Sequence, residues 1–77
     1  MTKYRIGDIV AIQKTDFPMS LRNGPGYSHD YICVMQPKEL AIVLGNSIGH
    51  SAITWVQLLI ASNSKVGWIP ETVLIKT

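Results

Sequence analysis

The chain predicts an all-β domain, a single small barrel of about five strands with a long first loop and one short helical turn before the last strand. Three observations lead there. Every apolar run is short and bounded by turn residues, and no segment keeps a 3.6-residue apolar period over three turns. The stretch Ile53 to Thr77, ITWVQLLIASNSKVGWIPETVLIKT, fills two arms with β-branched and aromatic residues around the polar turn Ser62-Asn63-Ser64-Lys65, which is a hairpin pattern.

The elements follow in order. Ile6 to Ile12, IGDIVAI, reads as the first strand, with Gly7-Asp8 as a turn leading into it and Val10 and Ile12 on one face. From Gln13 to Pro37, Pro18, Asn23-Gly24-Pro25-Gly26 and Pro37 break any regular interior strand, so this is the long loop. It is too long to be wholly structureless, and Tyr31 to Met35, YICVM, returns as an extended arm. Leu40 to Leu44, LAIVL, is a short continuous apolar run stopped by Gly45 and suits a buried strand; Gly45 to Gly49 is then a turn. In the hairpin, Val56, Leu58 and Ile60 point one way while Trp55, Gln57 and Leu59 point the other. Pro70 removes a ladder donor and ends the second arm near Ile69, Glu71-Thr72-Val73 makes a single turn, and Leu74 to Thr77 is the last strand. The expected core is Val10, Ile12, Leu40, Ile42, Leu44, Val56, Leu58, Ile60 and Ile69. Ala11, Val43, Leu59 and Leu74 would form an apolar second face.

Length and composition bound the function. Seventy-seven residues make one domain over 1–77, and a chain of this size buries only about 60% of the surface it exposes when unfolded, so association would add to a thin margin. A hydrophobic share of 47% rules out a disordered chain. Cys33 is the lone cysteine, which excludes an internal disulfide and favours a cytoplasmic setting, or a host cytoplasm or virion if the source is viral. No run approaches the roughly 20 apolar residues of a membrane helix, nor a signal-peptide core, so the protein is expected to be soluble and unexported with no membrane partner.

The order of parts resembles the SH3-like barrel family: GDIVAI, residues 13–38, LAIVLG, NSIGHSAI, TWVQLLI, SNSK, VGWIP, ETV and LIKT fill its strand, long loop, strand, short loop, strand, tight turn, strand, helical turn and strand. The most specific piece is Trp55 with Gly67-Trp68-Ile69-Pro70, which looks like the family's tryptophan at the head of the third strand and its Gly-aromatic-Ile-Pro segment. In members that bind proline-rich peptides, the residues matching Trp55 and Pro70 line an aromatic groove for a polyproline II helix. The resemblance therefore implies a ligand or partner groove at Trp55 and Pro70, with Tyr27, Tyr31 and Trp68 as further ring surface. Three parts of the family pattern differ: Val73 stands where a tyrosine is usual, the first strand carries Ile9-Val10-Ala11-Ile12 in place of an aromatic ligand-groove motif, and the acidic cluster of the long loop is reduced to Asp16 and Asp30. The chain looks most like the short, unadorned barrels of bacteria and bacteriophages.

Little points to catalysis. His29, Asp30, Cys33 and His50 hold the metal-binding and nucleophilic atoms, yet they lack a ligand spacing such as C-x-x-C, and neither a third orienting group nor an oxyanion site is signalled. Gly45 to Gly49 lacks the Gly-Lys-Ser/Thr ending of a phosphate loop. The expectation is a protein without enzymatic activity, cofactor or metal, acting as a protein-interaction or assembly module. Its partner would be another protein or itself, as a homodimer or higher. A nucleic-acid-binding barrel is the alternative, less favoured because seven scattered cations offset by five anions neutralise few phosphates. Trp55 falls on the outward parity of its strand, where either a partner or the long loop, through Tyr27, Tyr31 or Met35, must cover it.

Overall fold

The hairpin over 53–77 forms as its turn chemistry dictates. Ser64 takes a positive φ of 58°, the Lys65 N–H is received by Asn63 Oδ1 at 3.0 Å, and the Ile60 N–H bonds the Lys65 carbonyl at 2.9 Å. The computed structural model describes residues 4–12, 19–37, 39–49 and 52–77. Its elements are β1 (Ile9–Ile12), β2 (Met19–Arg22), β3 (Tyr31–Met35), β4 (Ala41–Ile48), β5 (Thr54–Ile60), β6 (Val66–Pro70), a 3-10 turn (Glu71–Val73) and β7 (Leu74–Lys76). Asp16, Pro18 and His50 lie outside the described residues.

These strands form one curled antiparallel sheet in the order β3-β2-β6-β5-β4-β1-β7, a half-barrel. The all-β class and the single turn before the last strand hold, whereas the expected count of five strands does not. Among the described residues the sheet has seven, because 19–35 forms a hairpin of β2 and β3. Tyr31 to Met35 is extended as read. The strand without a local signal is β2, MSLR, which carries no β-branched residue and is fixed from outside by pairing Arg22 with Trp68 on β6.

A second correction concerns β4. Gly45 does not end it: the strand runs on to Ile48, with Gly45 paired to Gln57 and a register shift between Val43 and Gly45 that leaves Leu44 as the extra residue. At the start of β1, Gly7 takes the turn as expected, with a φ of 95°, and Asp8 Oδ2 receives the Arg5 N–H at 2.9 Å. That hydrogen bond, helped by the nearby Lys76, holds the Asp8 carboxyl below its usual range.

The core lies inside the curl. Val10, Ile12, Val56, Leu58, Ile60 and Ile69 are buried as predicted, joined by Tyr4, Leu21, Met35, Ala41, Val43 and Leu74. Leu40 and Ile42 are instead exposed and Leu44 half-buried, so β4 presents the opposite parity from the one expected. Val43 and Leu74, assigned to the outer face, point inward. A run of five apolar residues has no alternation to fix its parity, and pairing Ala41 with Ile60 and Val43 with Leu58 decides it.

Gly67 is buried where β6 packs closely against Leu21 of β2. A Cβ there would meet Leu21 Cβ at 2.7 Å and Leu21 Cγ at 3.2 Å, atoms that cannot swing aside without moving β2. Gly67→Ala is therefore expected to cost about 1–3 kcal/mol by overpacking. A urea midpoint equal to that of the unmodified protein would contradict this packing.

Candidate functional site

Two surfaces stand out on the outer face of the sheet. The first is built around Trp55. Alternation along β5 sends Trp55, Gln57 and Leu59 outward, and their cross-strand partners on β6 are Pro70, Trp68 and Val66. Trp55 and Pro70 thus face the same way on adjacent strands, and Trp68 lies one step further on, half-buried, opposite both Gln57 and Arg22.

Although it points outward, Trp55 is only 1% exposed, and it is not part of the central cluster. The tip of the β2–β3 hairpin covers it. The Tyr27 ring meets Trp55 edge-on, with centroids 4.9 Å apart and planes at 77°, the T-shaped geometry that ring quadrupoles favour. Arg22 in turn places its guanidinium 5.6 Å from the Tyr27 centroid, and its Nη1 donates to the His29 carbonyl at 3.1 Å. Gly49, in the segment after β4, passes so close that a Cβ would lie 2.7 Å from Trp55 Cδ1. Trp55 Nε1 is buried with no acceptor among the described residues. Of the two covers open to the sequence, the molecule uses its own loop, through Tyr27. Tyr31 is elsewhere: it is exposed on the edge strand β3, opposite Arg22, and Met35 is buried in the core.

The second surface is an apolar row. Cross-strand pairing sets Ile9 beside Ile42, Ile42 beside Leu59 and Leu59 beside Val66, so one line of aliphatic side chains crosses β1, β4, β5 and β6. Ile9 is 45% exposed, Ile42 36% and Val66 39%. Leu40, 48% exposed, and Ile75, 47% exposed on β7 opposite Ala11, flank the row on one side, two residues along from Ile42 and level with Ala11. The polar groups nearest in sequence sit at its borders: Asp8 with Lys76, 3.6 Å apart, and Glu39 with Ser62, whose Oγ donates to Glu39 Oε1 at 3.0 Å. Ala11 and Leu59 were legible as outer residues. Ile9, Ile42 and Val66 were not, since the row exists only once β1, β4 and β6 are in register.

The residues with reactive atoms stay apart. His29 and Asp30 belong to the hairpin tip, while Cys33 on β3 packs against the core, and its burial pushes the thiol above its ordinary range, away from the thiolate. Among the described residues no three of His, Cys, Asp and Glu gather as a metal site would require. No helix among them is long and apolar enough to cross a membrane. Compared with protein-family models, with curated proteins and with solved structures, the chain finds no match.

Proposed function

We propose that the chain is a non-enzymatic protein-interaction or assembly module whose contact surface is the outer apolar row, with a second copy of the chain as its occupant. The row itself carries the reading. It is aliphatic and continuous across four strands with polar groups at its borders, the layout of an interface core and rim. A stable contact needs about 800 Å² from each partner, which a molecule of 28 × 24 × 22 Å supplies only by committing one whole face, and this sheet face is a broad apolar one. Two such faces are self-complementary about a two-fold axis between Ile42 and Leu59, with the sheets stacked about 10 Å apart. A net charge of +2 opposes that approach weakly.

An SH3-like relationship fits this reading. The five strands it calls for correspond to β1, β4, β5, β6 and β7 in sequence, with the β2–β3 hairpin filling the long first loop. The peptide groove of that family is not the surface proposed here, because Trp55 is covered. A modest role as a building unit also suits the likeness to short bacterial and bacteriophage barrels.

Sedimentation over a concentration series tests it. The unmodified protein is expected to reach the dimer mass, and Ile42→Lys to remain a monomer with its thermal transition nearly unchanged, because surface substitutions usually move stability by no more than about 0.5 kcal/mol and a lysine stem can lie along an apolar strand. A protein that stays monomeric throughout would overturn the proposal. Retention on heparin that fades with salt, without association, would replace it by the nucleic-acid reading.

A further inference from the structure

Trp55 is buried by something other than the core: its cover is held over β5 by packing, the Tyr27 ring against Trp55 and the Pro25 carbonyl against Gly49. The hydrogen bonds of residues 23–30 run within the tip: Asn23 N–H to Asp30 O at 2.8 Å, Gly26 N–H to Gly24 O at 2.9 Å, and His29 N–H to Gly26 O at 3.2 Å. Arg22 adds its bond to the His29 carbonyl from the neck of the hairpin. Apart from that bond from Arg22 of β2, no hydrogen bond among the described residues crosses from this tip to the rest of the sheet. At the neck, the pairing of β2 with β3 shifts register between Leu21 and Arg22, with Ile32 as the extra residue, a bulge that bends the hairpin where the tip begins.

We infer that residues 23–30 are a cap that moves as one body about this bulge, and that its opening exposes Trp55 beside Pro70 while the sheet remains folded. Closure is favoured by the edge-on contact of Tyr27 with Trp55 and by Arg22 over the Tyr27 ring. Opening is favoured by the indole N–H, which has no acceptor among the described residues when the cap is down and would reach water when it is up. Tyr27 itself remains 63% exposed in the closed form, so closure buries little of the ring that makes the contact. Gly49 is a condition of closure: a Cβ there would meet both the Pro25 carbonyl oxygen of the cap and the Trp55 ring. A tip bonded mainly within itself, a bulge at its base and opposing contributions at its contact describe a local opening separate from global unfolding. This device is independent of the apolar row.

Native-state hydrogen exchange followed by nuclear magnetic resonance tests it on the intact chain. The Trp55 indole N–H is expected to exchange faster than the Leu58 backbone amide of the same strand, with little dependence on added denaturant. Tyr27→Ala should speed the indole exchange roughly tenfold or more while the Leu58 amide changes by less than about twofold, as expected of a sub-global opening. The Gly49→Ala variant should act in the same direction. In a Trp68→Phe background its tryptophan emission should move to longer wavelength while the β-type circular dichroism spectrum persists. Exchange of the indole in step with the Leu58 amide would mean that only global unfolding reaches Trp55, and would overturn the cap. So would a folded Gly49→Ala protein with unshifted emission.

Discussion

Leu58→Ala is expected to cost about 4 kcal/mol and to leave most of the protein unfolded near physiological temperature. Leu58 is fully buried on β5, between Val43 of β4 and Gly67 of β6. Strands on both sides hold the site open, so the cavity collapses little, which places the loss in the upper half of the usual range for such truncations. A domain of this length has a total stability of roughly 4–12 kcal/mol, and the small buried fraction of so short a chain puts it at the lower end, where removing four leaves no net stability. Urea denaturation gives the number where enough folded protein survives, and circular dichroism shows the unfolded fraction where it does not. A loss under about 0.5 kcal/mol would place Leu58 at the surface and reverse the two faces of β5.

Trp55→Ala should destabilise by about 3 kcal/mol, the lower end of what deleting a buried tryptophan costs. Two features keep the loss at that end. The space lies beneath a hairpin tip that can settle into it, and the buried indole N–H that lacks an acceptor among the described residues disappears with the ring. The sequence left two outcomes open for this variant, unchanged stability with lost binding or a stability loss of this size, and the burial of Trp55 under Tyr27 selects the second. Thermal and urea denaturation decide the matter. A variant as stable as the parent would mean that the tip does not cover the ring in solution.

Local chemistry made much of the framework legible. The alternation of TWVQLLI, the turn residues Ser62 to Lys65, Pro70 and the glycine at Gly7 each act within a few residues of themselves, and each appears where its own chemistry puts it. Even the outward parity of Trp55 could be read, since it follows from counting along one strand. What could not be read were features held by contacts between distant segments. β2 has weak strand propensity and exists because β3 and β6 pair with it.

The unalternating run of β4 shows the division most sharply. Its composition establishes that the strand is buried on at least one side, but five apolar residues in succession serve equally well in either parity. Its register against β5, with the irregularity at Leu44, turns Ala41 and Val43 inward and leaves Leu40 and Ile42 outside. The same division applies to the candidate sites. Residue types told that Trp55 needed a cover, whereas which segment supplied it depended on the path of a loop about 30 residues upstream. The apolar row has no local signature at all, because its members come from four strands and become neighbours only through hydrogen-bonded pairing. Side-chain alternation and turn preference are properties of adjacent residues, so they survive in the sequence. Parity of an unbroken apolar run, cover of an outward ring and continuity of a surface are settled by long-range packing.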